Sequence, residues 1–539
     1  MRKRFRLLGL LVAASAVVAA CGSDDNTSDS SPAPSEAASG TEAVTDGTTA
    51  AEGTTAGTTG GTAPAVDGAT ITIALGSEPT SLDPHVVDDG GERAINDNIY
   101  ETLLTRDAAG ELGPGLATEL PTQVDDTTWR FTLRDGVTFH DGTPFTADAV
   151  VASVDRMIRL ISEEKTDNSG FYSTLAGATK VDDLTVDITT DGPDGVLPAR
   201  MYWLKIVAPG TETSDDLSDA PNGTGPYTFA GRETGVSIDL AANPDYWGGA
   251  PSISAVRYEF VTEAGTRLAG LKSGSYDLIT NLAPNDVEQA PAYAAQQGQE
   301  HPILILDADE GITADPNVRK ALNLAIDKDA LAEAIYNGFA VPDAGQLLSP
   351  SILGFNDQLE PYAYDPDEAK RLLEEAGVAG ETITLVGESS GRWLNDKDLL
   401  EAVAGYWSAV GLEVDLQTPE FGAYLDILFD RENREDAIFV SSSNDILDPD
   451  RQLSTYYQAG GVGSSNSDEE LSALIDAGSA ELDPAARAAT YQEAVKLAYD
   501  QAYFAWLVSN QDIYGLSERL QFTPRVDSKL LVKDMSVSA

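Results

Sequence analysis

Residues 131–150 read Phe131-Thr-Leu-Arg-Asp-Gly-Val-Thr-Phe-His-Asp-Gly-Thr-Pro-Phe-Thr-Ala-Asp-Ala-Val150. Apolar and polar side chains alternate from Thr128 to Arg134, which predicts a half-buried strand. Two Asp-Gly pairs follow and predict turns. Thr146 is a candidate N-cap for a helix that runs to about Leu160, because apolar residues then recur at helical spacing. This segment is therefore a strand, a pair of turns and a helix.

The chain on both sides of this segment alternates between predicted strands and helices. A strand at Ile71–Leu75 and a helix at Arg93–Leu104 precede it. Strands follow up to Thr280 with one helix among them, and a further strand is predicted at Ile303–Leu306. This half of the chain is predicted to be of mixed α/β class.

The following part of the chain is more helical, and three of its helices begin with the same Asp-Pro device. Asp315, Asp365 and Asp483 can each cap a helix whose first residue is proline. Glu368 completes a predicted capping box with Asp365, and Gly377 is predicted to end that helix. These aspartates have structural roles.

A second lobe is predicted from the position of one late apolar strand, Tyr503–Val508. If the region between the strand at 303–306 and this strand forms a module of its own, both chain ends lie in the first lobe. The two connections then form a hinge. We draw the first lobe at 69–304, the second at 305–505, and the return to the first lobe at 506–539.

The N-terminal residues predict export. Residues 1–20 carry four cations and then an apolar run that ends before Cys21, as in a signal peptide. The cysteine is the only one in the chain, and Val18-Ala-Ala-Cys21 resembles the lipobox of bacterial lipoproteins, which implies lipidation of Cys21. The stretch after it, to residue 68, is Ser-, Thr-, Gly- and Ala-rich without aromatic residues, which predicts a disordered tether.

The charge of the chain argues against one class of partner. Its formal net charge is −54. Nucleic acid is therefore not an expected partner. The acids are spread along the chain, and we interpret them mainly as a solubility property. No tandem repeat of 20 to 50 residues is present, which argues against a solenoid.

Several strings resemble the family 5 extracellular solute-binding proteins, the oligopeptide-, dipeptide- and nickel-binding components of ABC importers. They cover about residues 70–510 in the order of the family. Besides residues 131–150, they are Ser81-Leu-Asp-Pro84, Tyr100-Glu-Thr-Leu103, Gly223-Thr-Gly-Pro-Tyr227, Asn243-Pro-Asp-Tyr-Trp-Gly-Gly249 and Val318-Arg-Lys-Ala-Leu-Asn-Leu-Ala-Ile-Asp327.

The resemblance implies an α/β, two-lobed clamshell like that of periplasmic binding proteins (cluster C, type II), with an extra subdomain in the first lobe. It implies a monomer that captures a peptide or peptide-like solute and passes it to an ABC permease and ATPase complex. The expected location is the outer face of the bacterial plasma membrane, where the lipidated Cys21 anchors the chain. No enzymatic activity, cofactor or protein-bound metal is implied.

The resemblance also implies where the ligand binds. In peptide binders of this family an aspartate shortly before an Asp-Pro pair holds the α-ammonium, and Asp445 occupies that position in Phe439-Val-Ser-Ser-Ser-Asn-Asp-Ile-Leu-Asp-Pro449. Ser441 and Ser443 then lie on the strand that pairs with the peptide. The family pattern has Trp at the position of Ser442 and an aromatic residue at that of Ile446.

Three further residues are candidates for the rest of the site. Arg392 or Lys397 can supply a cation for the far carboxylate of a peptide, and arginine has the better geometry for a bidentate pair. Trp393, beside Arg392, can form a wall of the pocket or belong to the core. The glycines of the loop 223–227 are expected to adopt positive φ.

Alternatives remain open for the ligand and for the role. A sugar, an opine or chelated nickel is compatible with the family, and so is a surface peptide sensor that works without transport. Gly387-Glu-Ser-Ser-Gly391 matches the nucleophile elbow of a hydrolase. That fold needs a histidine after the serine, whereas His85, His140 and His301 all precede it, so we reject this triad.

Overall fold

A computed structural model of the chain describes residues 68–87, 90–430 and 434–538. The predicted signal peptide, lipidated Cys21 and tether lie outside these residues, except for Gly68 at the end of the tether. The strands are β1 (Ala69–Leu75), β2 (Leu104–Arg106), β3 (Leu112–Pro114), β4 (Thr122–Asp125), β5 (Thr128–Thr132), β6 (Leu175–Asp182), β7 (Thr185–Thr190), β8 (Tyr227–Glu233), β9 (Ser237–Ala242), β10 (Ile253–Phe260), β11 (Leu278–Ile279), β12 (Ala292–Gln297), β13 (His301–Leu306), β14 (Ala340–Pro342), β15 (Thr382–Val386), β16 (Glu413–Gln417), β17 (Ala437–Ser442), β18 (Phe504–Trp506), β19 (Val508–Leu516), β20 (Leu520–Gln521) and β21 (Ser536–Val537).

Helices cover the sheets formed by these strands. They are α1 (Gly90–Ile99), α2 (Ala147–Ser162), α3 (Ser169–Tyr172), α4 (Leu197–Trp203), α5 (Ala264–Ser273), α6 (Pro316–Leu324), α7 (Lys328–Ala334), α8 (Pro366–Ala376), α9 (Asp396–Ala409), α10 (Phe421–Phe429), α11 (Pro449–Gln452), α12 (Glu469–Ala480) and α13 (Pro484–Gln501). A π-helical turn at Leu453–Tyr457 continues α11.

The first lobe is built on the largest sheet, in the order β12-β19-β11-β1-β10-β9-β8, with β14 paired to β19. Strand β1 runs parallel to both of its neighbours, β10 and β11. The remaining strand pairs of this sheet are antiparallel. Ile71 and Ile73 of β1 are buried in the core of this lobe with Ile95 and Ile99 of α1. The alternating apolar residues of β1 therefore attach α1 to this sheet.

The second lobe contains a five-stranded sheet in the order β16-β15-β17-β13-β18. Helices pack on both of its faces, and β13 and β17 are buried along their whole length. Strands buried on both faces have continuous apolar runs rather than alternation, as in Ile303–Leu306 and Ala437–Val440. The two-lobed clamshell predicted above is confirmed.

Apart from the short strand β14, which pairs with β19, the chain passes between the two sheets at two points. One is the segment 298–300 between β12 and β13, and the other is the single residue Leu507 between β18 and β19. The sequence placed the first boundary between 304 and 305, which falls inside β13. We therefore propose the crossings at 298–300 and Leu507 as the hinge.

A third, four-stranded sheet in the order β4-β5-β7-β6 carries the segment quoted first. Strand β5 ends at Thr132, two residues earlier than expected, and α2 begins after Thr146. Thr146 is in N-cap position with extended backbone, but its side chain makes no capping hydrogen bond. Helix α2 and this sheet enclose a separate core that includes Phe131.

The Asp-Pro helix starts are as predicted. The side chains of Asp315, Asp365 and Asp483 accept hydrogen bonds from backbone N–H groups of the first turn of α6, α8 and α13. Gly377 ends α8 with φ 75°. The capping box is only half formed, because the Glu368 carboxylate is paired with Arg371 at 2.6 Å.

The helix predicted at 93–104 ends at Ile99, and the cause lies in the loop 223–227. The Ile99 carbonyl accepts a hydrogen bond from the Gly225 N–H at 2.9 Å. A Cβ on Gly223 would lie 2.0 Å from the same carbonyl oxygen, and a Cβ on Gly225 would lie 2.6 Å from it. Positive φ was the wrong reason for these glycines, since neither adopts it. They are needed because two backbones approach too closely for any side chain.

Candidate functional site

A cavity of about 430 Å³ lies between the two lobes, which is within the size range of small-molecule sites. We call it the central cavity. It is lined by Arg93, Gln299, Glu300, Arg392, Trp393, Phe421, Tyr424, Leu425, Leu428, Val440, Ser441, Ser443, Asn444, Asp445, Tyr456, Asp512, Asp527 and Ser528. Five of the six ligand-binding residues predicted from the sequence are among them.

Asp445 lies in the loop between β17 and α11, where it meets a cation from the other lobe. Arg93 of α1 donates a hydrogen bond to its carboxylate at 2.5 Å. Burial would raise the pKa of the Asp445 carboxyl, but the charges of Arg93 and Arg451 outweigh it and hold that pKa below its usual value. The carboxylate is therefore ionised at neutral pH and already bridges the lobes.

Ser441 and Ser443 lie at the end of β17, where that strand has an open side. Antiparallel β13 pairs with β17 as far as Ser442. On the other side, parallel β15 pairs only with Ala437 and Ile438. Ser441 is in the strand and Ser443 comes just after its end. The part of β17 that lines the cavity is thus paired with β13 alone.

Arg392 and Trp393 lie in the loop that connects β15 to α9. The Arg392 guanidinium is stacked over the Phe421 ring at 4.9 Å from its centre. Among the described residues no carboxylate forms an ion pair with it, and its side chain is exposed. The Trp393 ring packs edge-on against Tyr424 and Phe439, with centroid distances of 5.9 and 5.5 Å. Trp393 therefore forms both the cavity wall and part of the core.

Lys397 is the one predicted residue that does not line the central cavity. It is in the first turn of α9 with 78% of its side chain exposed, and its ammonium lies 3.9 Å from Glu401 on the same helix. Arg392 is thus the better placed of the two candidate cations.

The sequence missed several acids of the cavity, of which Glu300 and Asp512 are the most notable. Glu300 lies on the crossing segment and Asp512 is in β19. Burial raises the pKa of both carboxyl groups; for Asp512, a hydrogen bond from Ser528 opposes the increase. No local motif marks either residue, because their proximity arises only when β19 pairs with β12.

The three histidines make hydrogen bonds within the fold. His85 and His140 bond backbone carbonyls of Lys205 and Gly225 through Nε2. His301 lies between Asp343 (Nδ1 to Oδ2, 2.6 Å) and Ser349 (Nε2 to Oγ, 3.0 Å). This order of groups is that of a catalytic triad, but the three side chains are buried and do not line the central cavity. They tie β13 to the loop after β14.

No set of three or more His, Cys, Asp or Glu side chains is arranged to hold a metal ion in the part of the chain that the structure describes. In that same part, no helix is both long and apolar enough to span a bilayer.

Known proteins are similar to this chain in sequence and in fold. Residues 111–464 match the model of bacterial extracellular solute-binding proteins, family 5 middle. The chain is 28% identical to the dipeptide-binding protein of Escherichia coli over 481 residues, which are 82% of this chain and 89% of that one. It is 27% identical over 496 residues to heme-binding protein A of Haemophilus influenzae, covering 84% of this chain and 89% of that one.

A solved structure is similar to this chain as well. The periplasmic binding protein DppA of Helicobacter pylori, in complex with the peptide STSA, superposes with a TM-score of 0.71 at 25% identity, over 88% of this chain and 98% of that one. The family model alone spans well over half of the 539 residues. This chain belongs to the bacterial extracellular solute-binding proteins of family 5.

Proposed function

We propose that this protein captures a peptide or peptide-like solute in the central cavity and delivers it to an ABC importer. The observation that carries this proposal is the chemistry of the cavity, which presents the Asp445 carboxylate and the Arg392 guanidinium beside a strand with an open side. A peptide has a complementary ammonium, carboxylate and backbone.

Each group of the cavity then has a role toward the ligand. Asp445 accepts from the α-ammonium, since a buried ammonium requires a carboxylate. Arg93 uses one oxygen of Asp445 and leaves the other for the ligand. The backbone at Ser441 and Ser443 pairs with the extended ligand, as in strand addition. Arg392 binds the far carboxylate, and Trp393 closes the side of the cavity.

Binding is coupled to closure of the lobes. Asp445, Arg392 and Trp393 belong to the second lobe, whereas Arg93 and Asp512 belong to the first. A ligand that contacts both groups stabilises the closed state, and the closed receptor is the form that the permease recognises. No covalent step is needed, and we propose that the protein is not an enzyme and acts as a monomer.

The relatives are consistent with several ligands. Their names refer to dipeptide, heme and glutathione, and a neighbour of known structure was solved with a peptide. We favour a peptide over a sugar, an opine or chelated nickel, and transport over sensing. The measurement below distinguishes the ligand classes, and uptake of the ligand by cells that have or lack the gene distinguishes transport from sensing.

The test is native mass spectrometry of the full-length protein purified without denaturant, followed by calorimetry with the ligand found. We expect a ladder of peptide masses. Asp445→Asn should lower the affinity for these peptides at least tenfold, because an ammonium then lacks its counter-charge. The matched control is Asp415→Asn on β16, outside the cavity lining. A single non-peptide mass would contradict the peptide assignment and leave the binding role intact.

A further inference from the structure

Glu300 and Asp512 occupy one wall of the central cavity and come from different parts of the chain. Glu300 ends the crossing segment, and Asp512 is opposite Gln296 in the β12–β19 ladder. The two carboxylates are close enough that the negative charge of Asp512 raises the pKa of the Glu300 carboxyl. The two carboxylates therefore act on the same region of the cavity.

Gly298 provides the room for this arrangement. A Cβ at residue 298 would lie 3.2 Å from Oδ2 of Asp512 and 3.3 Å from its Oδ1. The Asp512 carboxylate thus rests against the bare backbone of the crossing segment, two residues before Glu300. Ser528 donates a hydrogen bond to Oδ2 at 2.5 Å and fixes its orientation.

Neither carboxylate has a cationic partner among the described residues. Several buried aspartates of the chain are paired with arginine, as in Asp83 with Arg156 and Asp448 with Arg487, both at 2.6 Å. Glu300 and Asp512 form no such ion pair within the described ranges. Both side chains are half-buried, and a bound cation would relieve the repulsion between the two like charges.

A polar group and additional space lie next to these acids. Ser441 is 8% exposed and its hydroxyl makes no hydrogen bond to a described residue, although it approaches Glu300 closely enough to lower the pKa of that carboxyl. A recess of about 320 Å³ shares Glu300, Asp512 and Arg392 with the central cavity and extends to Asn281 and Asn510. Arg267 also lines it, with a guanidinium that donates to backbone carbonyl oxygens. This volume can take a side chain of the ligand.

We propose that Glu300 and Asp512 form a subsite for a second positive charge on the solute, so that the protein selects peptides with a basic side chain. The inference rests on the proposed function and names its substrate class. The α-ammonium stays with Asp445, the carboxylate with Arg392, and the basic side chain enters the recess. The Ser441 hydroxyl then accepts a hydrogen bond from the same cationic group.

The charge balance of the cavity supports this assignment. Asp445 is shared with Arg93, and Asp527 is paired with Arg525 at 2.6 Å, which leaves Glu300 and Asp512 as the acids without a cation. Arg392 is the cation without a carboxylate in the described lining. A zwitterionic peptide with one additional positive charge neutralises this set, whereas a peptide with an acidic side chain adds repulsion.

The experiment is isothermal titration calorimetry of the full-length protein with Lys-Ala and with norleucine-Ala, which has a similar side chain without the charge. We expect Lys-Ala to bind at least tenfold more tightly. The double variant Glu300→Gln/Asp512→Asn should lose this preference and change the affinity for norleucine-Ala less than twofold. The control Glu374→Gln/Glu493→Gln removes the same charge from exposed positions of α8 and α13 and should behave as the wild type.

The outcomes separate the two proposals. Equal affinities for the two dipeptides in the wild type would overturn the cation subsite and leave peptide binding in place. If neither dipeptide binds, the subsite is tested with cadaverine, which has two ammonium groups and no peptide bond. Binding of cadaverine that is lost in Glu300→Gln/Asp512→Asn would support the subsite. Absence of cadaverine binding in that case would overturn the subsite, whereas the peptide function stands or falls with the masses found by native mass spectrometry.

Discussion

The contact between Arg93 and Asp445 joins residues 352 positions apart and bridges the two lobes. Their side chains are 27% and 12% exposed, so solvent screens this ion pair only in part. Arg93 also lies 5.4 Å from the centre of the Trp203 ring, which restrains its guanidinium on the first lobe. The pair can therefore hold the lobes together before a ligand arrives.

Arg93→Met should shift the ligand-free protein toward the open state. Loss of a charged hydrogen bond of this kind is worth about 1–3 kcal/mol. Small-angle scattering of the ligand-free variant should give a larger radius of gyration than the wild type, and the surface variant Arg371→Met should not. An unchanged radius would show that the pair does not hold the lobes together.

The same pair has a defined pH dependence. The pKa of Asp445 is lowered from its usual value of 3.8, so the stabilisation is complete above that value and is lost as the pH falls through the lower pKa of the paired carboxyl. The wild type should therefore expand at acid pH more than Arg93→Met does.

Among the elements, the strings shared with the family serve to hold the first lobe together. The Glu101 carboxylate accepts hydrogen bonds from Tyr246, Trp247 and Thr224, each at 2.7 or 2.8 Å. Glu101, Thr224 and the pair Tyr246-Trp247 belong to three different strings of the family pattern. Since Gly223 and Gly225 press against the end of α1, the loop 223–227 also sets where that helix stops and hence the position of Arg93.

Gly223→Ala should strongly destabilise the protein. The new methyl group would lie 2.0 Å from the Ile99 carbonyl oxygen, a backbone atom that cannot move without disturbing α1. We expect a loss of about 3 kcal/mol in the free energy of unfolding, measured by urea denaturation. Gly231→Ala in β8 is the matched control, because nothing lies within 4 Å of its Cβ position. Equal effects of the two variants would refute the close-contact explanation.

For the whole molecule, the proposed location depends on residues outside the described structure. We propose that Cys21 is lipidated and that residues 21–68 tether the two lobes to the outer face of the plasma membrane. Two or more acyl chains on one residue anchor a protein stably, whereas a single chain does not.

Cys21→Ser should release the protein from the membrane. In bacterial cells that process lipoproteins, the variant should move from the membrane fraction to the soluble extracytoplasmic fraction and should not incorporate labelled palmitate. Ser31→Ala, in the predicted tether, should remain in the membrane fraction. Retention of Cys21→Ser in the membrane fraction would refute the lipid anchor.

Much of the fold could be predicted from the sequence, because its determinants are local. The Asp-Pro pairs start helices since the capping carboxylate and the N–H groups that it binds are two or three residues apart. The apolar runs Ile303–Leu306 and Tyr503–Val508 predict buried strands for the same local reason. The family strings indicated the clamshell, and Asp445, Arg392 and Trp393 were assigned to the site through that resemblance.

The sequence alone determined most of the local elements, the two-lobed class and the region of the proposed binding site. Only the tertiary structure decided that Arg93 meets Asp445, that Lys397 is outside the cavity, and that Glu300 and Asp512 share one wall. The first and the third depend on residues brought together by the approach of the two lobes or by the pairing of β12 with β19, and the second depends on how α9 is packed. Such contacts have no signature in sequence spacing, since they are set by how whole sheets pack.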